Sequence, residues 1–202
     1  MNKLATFVSA ISHPIFLPFW MFVILMTSGI VKTSFIRVDV CLAIIFLVTV
    51  SMPMLILLFL KKIKIIKSLT MERRDDRFIP LLLMIASLYI TIRFFKDINM
   101  LAIYNFYLTC NATLCVIVFW INMYWKISMH GIGWGAYSAT LLILTTISAE
   151  IFLTYFILSI IASGIICTAR LYLKSHNEPQ VYAGFIVGFI VVFALYQLTI
   201  NS

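Results

Sequence analysis

Long apolar runs broken by short polar turns set the layout of this chain. Runs reaching the roughly 17 to 25 residues that a helix needs to cross about 30 Å of hydrocarbon extend from Pro14 to Val31, Val38 to Leu60, Phe78 to Phe95, Leu101 to Trp125, Gly131 to Ser148, Ile151 to Leu173 and Val181 to Ile200. Within them the apolar residues are continuous and do not alternate, so the pattern predicts helices and excludes the strands of a membrane barrel. The expected fold is all-α: a polytopic transmembrane helical bundle of six to seven membrane helices, making one integral-membrane domain over residues 1–202. Pro14 and Pro18 predict a start or a kink in the first helix. Lys3 is the single early charge and no small-x-small cleavage site precedes polar sequence, which argues for a retained helix and against a cleaved signal peptide.

Composition sharpens this picture. Hydrophobic residues make up 63% of the chain and charged residues 11%, against about half and about a quarter in a soluble domain. The net charge of +8 comes from basic residues in short loops beside apolar spans, so the bilayer's anionic headgroups are the expected partners and nucleic acid is not. Cys41, Cys110, Cys115 and Cys167 all lie inside apolar segments without Cys-x-x-Cys spacing; they predict packing residues, neither a disulfide framework nor a zinc site. No metal and no cofactor is expected. Asn111-Ala112-Thr113 has the letters of a glycosylation site but falls within a span.

Three polar patches stand out: Lys67 with Arg74, Ser128 with His130, and Arg170 with His176. They follow the second, fourth and sixth segments, so helix counting brings all three to one membrane surface. Arginine forks and a lysine charge converging there suit phosphate oxygens, and two histidines add the capacity to attack phosphorus or pass a proton. Gly131, Gly133 and Gly135 at the start of the fifth segment suggest close backbone approach to an anion at a helix N-terminus. Ser175 or Asn177 ahead of Pro179 reads as the cap and first-turn proline of the last helix.

These residues resemble the type 2 phosphatidic acid phosphatase superfamily, whose motifs are Lys-x6-Arg-Pro, Pro-Ser-Gly-His and Ser-Arg-x5-His-x3-Asp. Lys67 and Arg74 match the first, Ser128 and His130 half of the second, and Arg170, His176 and the position of Gln180 most of the third. Asp75, Ile127, Met129, Ala169 and Gln180 are departures from that pattern. The resemblance implies a metal-independent lipid phosphatase of a bacterial inner membrane, acting on a phosphate monoester or pyrophosphate on a lipid of the undecaprenyl pyrophosphate or phosphatidic acid type. It implies His176 as the nucleophile that becomes a phosphohistidine and His130 as the acid at the leaving oxygen. Gln180 then stands where an aspartate orients the nucleophile, and Lys67, Arg74, Ser128 and Arg170 hold the phosphate.

Other readings of the same residues stay open at this point. Gln180, Met129 and Asp75 fit a catalytically degenerate member of the same fold that binds phospholipid headgroups without turnover. Arg170 near a helix end also suits a residue meeting headgroups, and Lys61, Lys62 and Lys64 read as an anchor at anionic lipid. His13 beside Pro14 reads as a helix-start or interfacial residue, and Trp134 as part of the interfacial belt. Gly184 and Gly188 have the spacing of close helix packing, within the bundle or between subunits. Positive-inside counting puts the motif-bearing side in the cytoplasm, whereas the family resemblance implies the outer side. Oligomeric state is left open.

Overall fold

The computed structural model describes residues 2–31, 37–66, 75–96 and 101–201. Every regular element among them is helical: α1 (Asn2–Ile11), α2 (Leu17–Thr27), α3 (Val38–Ile45), α4 (Met52–Lys62), α5 (Phe78–Phe95), α6 (Ala102–Tyr124), α7 (Met129–Thr145), α8 (Ala149–Tyr172) and α9 (Glu178–Ile200), with short 3-10 turns at Pro14–Phe16 and Asp75–Arg77 and a π-helical stretch at Phe46–Ser51. Among the described residues six helical stretches are long and apolar enough to cross a membrane: Lys3–Thr27, Val38–Lys62, Phe78–Phe95, Ala102–Tyr124, Ala149–Tyr172 and Glu178–Ile200. The protein is therefore read as an integral membrane protein.

Two sequence expectations change in detail. The first span begins near Lys3, not at Pro14, so the prolines interrupt a helix instead of starting one. The segment Gly131 to Ser148 becomes α7, whose 17 residues rise only about 25 Å. Thirteen of those 17 residues are buried, which makes α7 the inner helix of its surroundings. Apolar periodicity does not separate a helix facing lipid from one facing other helices, because both environments are apolar.

The chain folds into two compact units, one made of residues 1–17 and 126–202 and the other of residues 18–125. In the second unit an aromatic cluster joins α2, α5 and α6: Phe22 meets Tyr104 edge-on at 5.0 Å between ring centroids and stacks near Phe95 at 6.3 Å. The Tyr104 hydroxyl, buried with its ring, donates to the Pro18 carbonyl at 3.1 Å. The widened turn at Phe46–Ser51 precedes Pro53, whose missing N–H breaks the regular ladder, and there the Thr49 hydroxyl donates to the Ile45 carbonyl at 2.7 Å. Lys64 closes α4 in a left-handed conformation (φ 62°), with Ile65 N–H reaching back to the Leu60 carbonyl. Such a reversal needs a φ that glycine supplies most cheaply.

In the first unit α7 packs against α9 and α8, and α1 lies along α8. The α7–α9 contact is backbone to backbone. A Cβ on Gly131 would come within 2.8 Å of the Val181 carbonyl and one on Gly184 within 2.7 Å of the Ser128 carbonyl; on Gly135 it would land on the Phe185 carbonyl, and on Gly188 on the Ile132 carbonyl. The glycines of the fifth segment therefore serve close packing of α7 on α9 at 131 and 135 and of α7 on Pro14 at 133. This corrects their reading as a phosphate cradle. Gly184 and Gly188 are likewise committed within the bundle. α7 meets α8 through buried hydroxyls: the Ser159 hydroxyl donates to the Ser138 hydroxyl at 2.9 Å, and the Ser138 and Ser163 hydroxyls lie 3.5 Å apart. Such bonds hold apolar helices together where hydrophobicity cannot discriminate between neighbours.

Candidate functional site

Two turns of the first unit are tied together at the ends of the glycine-packed pair. The Ser128 N–H donates to the Gln180 carbonyl at 3.1 Å, and Lys126 Nζ reaches the Ser175 carbonyl at 3.0 Å. The second and third polar patches of the sequence thus meet. The first patch does not enter this account: Lys67 and Arg74 lie outside the described residues.

Ser128 is the N-cap of α7. Its hydroxyl oxygen accepts the Gly131 N–H at 3.3 Å, and the residue is fully buried. Arg170 lies in the last turn of α8, which ends in a tight reversal. There Lys174 is left-handed (φ 52°) and Ser175 N–H bonds the Arg170 carbonyl at 3.2 Å. His176 follows that reversal and is 7% exposed.

The last helix opens with a capping box. Asn177 Oδ1 accepts the Gln180 N–H at 3.1 Å, while Gln180 Oε1 accepts the Asn177 N–H at 3.4 Å. Of the two caps the sequence allowed, Asn177 is the one used. The same Gln180 Oε1 lies 2.9 Å from His176 Nδ1. Because the Asn177 N–H can only donate, it fixes which way the Gln180 amide faces, and that oxygen in turn requires the proton of a neutral His176 on Nδ1. The lone pair then belongs to Nε2.

His130 is held differently. Its Nε2 lies 3.0 Å from the Ser9 carbonyl, which can only accept, so Nε2 carries the proton and Nδ1 the lone pair. The Ser9 hydroxyl receives Arg170 Nη1–H at 2.8 Å, and Ser9 and His130 are both buried. The His13 ring meets His130 edge-on, 5.2 Å between centroids, and His13 Nδ1 accepts the Ile15 N–H at 3.3 Å. His13, Arg170 and His176 all lie within electrostatic reach of His130. The arrangement gathers a guanidinium and three imidazoles in one place, an environment that favours an anionic guest.

No protein-family model, curated protein or solved structure matches the chain.

Of the sequence candidates, Ser128, His130, Arg170, His176 and Gln180 all belong to this first unit. Ser9 was missed; His13, read as a helix-start residue, is the N-cap of the 3-10 turn at Pro14–Phe16, and its place against His130 was not foreseen. A signal for them existed: Ser9, Ser12 and His13 are the polar residues of an apolar stretch, and at spacings of three and four they share a helical face. Trp134 was read as an interfacial belt residue, yet its indole N–H donates to the Ser12 carbonyl at 2.9 Å. Among the described residues no group of three or more His, Cys, Asp or Glu has the arrangement of a metal site. A cleft of about 530 Å³ in the same unit has Thr6 of α1 and Tyr172, Leu173 and Lys174 at the end of α8 among its walls.

Proposed function

We propose that this chain is a lipid phosphatase that works through a phosphohistidine at His176, on a phosphate monoester or pyrophosphate of a membrane lipid. The observation that carries the reading is the His176 Nδ1 to Gln180 Oε1 bond, anchored by the Asn177 N–H. It aims the imidazole and leaves the nucleophilic lone pair on Nε2, as attack on phosphorus requires. In this mechanism Nε2 attacks phosphorus, the bond from phosphorus to the lipid or phosphate oxygen breaks, and His130, entering the step protonated on both nitrogens, gives its Nδ1 proton to the departing oxygen while Nε2–H stays on the Ser9 carbonyl. Water then attacks the phosphohistidine, giving its proton to His130 and releasing inorganic phosphate. Arg170 neutralises the oxygens as charge builds on them; the family resemblance assigns the same role to Lys67 and Arg74, which lie outside the described residues.

A second reading has its own observation. Gln180 is neutral, and the Ser9 carbonyl and hydroxyl already engage His130 and Arg170; a headgroup-binding protein without turnover accounts for both features.

Phosphate release by purified protein from undecaprenyl pyrophosphate, phosphatidic acid and phosphatidylglycerol phosphate, with chelator present, separates the two. The phosphatase reading expects turnover that falls by on the order of 10⁴-fold or more in His176→Ala. An inert wild type that binds phospholipid as well as His176→Ala does would leave the headgroup-binding reading.

A further inference from the structure

The first membrane span is interrupted inside the unit that holds the candidate site, and the cause is local chemistry. Pro14 has no N–H to give the Ala10 carbonyl, so His13 N–H takes that carbonyl at 3.3 Å and the helix stops at Ile11. The carbonyls of the last turn then lack their regular helical donors. Val8 O is taken by the Ser12 N–H, whereas Ser9 O and Ser12 O are taken by side chains of α7, His130 and Trp134, four residues apart and so on one face. The negative end of the α1 dipole consequently faces a histidine and an arginine. Both of these are motif residues, and both bind one residue, Ser9, through two different groups.

We infer that Ser9, on the interrupted first helix, is a positioning residue of the phosphate site: its carbonyl holds His130 in the Nε2–H form and its hydroxyl aims the Arg170 guanidinium. The inference rests on the phosphatase reading for what the site does, but its geometry is independent of turnover. The carbonyl plays for His130 the part that Gln180 plays for His176, and a carbonyl bonded to Nε2–H also favours the protonated ring that an acid must become. The hydroxyl removes rotational freedom from Arg170, so less ordering remains for an arriving phosphate to impose. Pro14 is the residue that makes the Ser9 carbonyl available.

The test uses the full-length protein in detergent with Ser9→Ala, Ser9→Thr and Pro14→Ala. The chain has three histidines, so ¹⁵N labelling of histidine gives three ring systems from which the protonated nitrogen of His130 is read directly. Orthovanadate serves as the phosphate mimic, and turnover is followed in parallel. The expected result is that Ser9→Ala keeps the fold but weakens orthovanadate binding and raises KM about tenfold with a smaller change in kcat, and that Ser9→Thr, which keeps the hydroxyl, restores both. Pro14→Ala lets residue 14 donate to the Ala10 carbonyl and His13 to Ser9, so His130 should lose its single Nε2–H form. Wild-type affinity in Ser9→Ala, or an unchanged His130 signal in a folded Pro14→Ala, overturns the inference. A wild type that neither binds orthovanadate nor turns over refutes the phosphatase reading instead; His130 fixed as Nε2–H in that protein and released in Pro14→Ala would still support the positioning role.

Discussion

The two buried histidines of the first unit are fixed by opposite means. His176 is held through Nδ1 by a side-chain amide that is itself clamped by a backbone N–H, whereas His130 is held through Nε2 by a backbone carbonyl exposed by a helix break. Each ring keeps its lone pair on the nitrogen the other uses for its bond. That asymmetry suits a nucleophile and a proton carrier acting on one phosphate, since the roles need different faces of the imidazole. On the phosphatase reading, a neutral residue opposite His176 is less damaging than its lack of charge alone suggests. An amide in place of a carboxylate is harmful in a hydrolytic triad mainly when its NH₂ forces the wrong tautomer, at a cost of about 10⁴ in rate. Here the capping box keeps the amide oxygen toward the ring, so the missing charge is what remains to be lost.

The comparison breaks most severely if the acceptor on the His176 side is removed. Gln180→Leu deletes both the bond to Nδ1 and half of the capping box, and should lower kcat about 100-fold, an intermediate loss on the scale set by triad variants. Gln180→Glu sharpens the same point in the other direction. It keeps the length of the side chain and replaces NH₂ by an anionic oxygen, which favours the cationic imidazolium formed when Nε2 attacks phosphorus while Nδ1 keeps its proton. The expected result is a plateau rate about tenfold higher, with the acidic limb of the pH–rate profile moved to higher pH because the anion also holds the proton on the resting ring. The full pH profiles of the three proteins check both statements. Unchanged rates in both variants would remove Gln180 from the mechanism.

A second way to break the comparison is to push the two histidines apart. They come together because α7 and α9 touch backbone to backbone, and a methyl group at 188 would meet the Ile132 carbonyl, which cannot rotate away. Gly188→Ala should therefore destabilise the fold by about 2 kcal/mol, seen as a lower unfolding temperature in detergent, and lower turnover with it. Gly164, on α8, has nothing within 4 Å of the place a Cβ would occupy, so Gly164→Ala should leave both unchanged. Equal behaviour of the two alanines would mean that the close packing is not what carries the site.

The residues differ sharply in how far their letters reveal these roles. The α8–α9 turn was readable: Asn177, Pro179 and Gln180 spell a cap, a first-turn proline and a capping-box partner, and four residues from His176 to Gln180 suggest a shared face. The membrane character and most span positions were equally readable from the length of the apolar runs. The break at Ile11 was half visible through Pro14, but the group that binds His130 is the backbone carbonyl of Ser9, and a carbonyl has no letter of its own. The glycines of α7 show a different limit, since a small face serves a phosphate or a neighbouring helix equally well and only the partner decides. The inner position of α7 was hidden because a helix among helices and a helix in lipid carry the same apolar composition.

The finest cut separates the cap from the chemistry within the α8–α9 turn. Asn177 contributes two groups: its side chain accepts the Gln180 N–H, which stabilises the start of α9, and its backbone N–H orients the Gln180 amide, which fixes His176. Asn177→Ala removes the first and keeps the second. The loss of an N-cap oxygen costs about 1 kcal/mol, whereas the His176 tautomer should survive because its determinant is in the main chain. Asn177→Asp should restore the stability, since aspartate accepts the same N–H and places negative charge at the positive end of the α9 dipole. Unfolding temperature and kcat measured on the same preparations decide the matter. A fall in stability with kcat held within a fewfold assigns the side chain to the helix and the N–H to the histidine; a kcat that collapses in the alanine variant and returns in the aspartate one would mean that the side-chain cap itself orders the turn on which His176 depends.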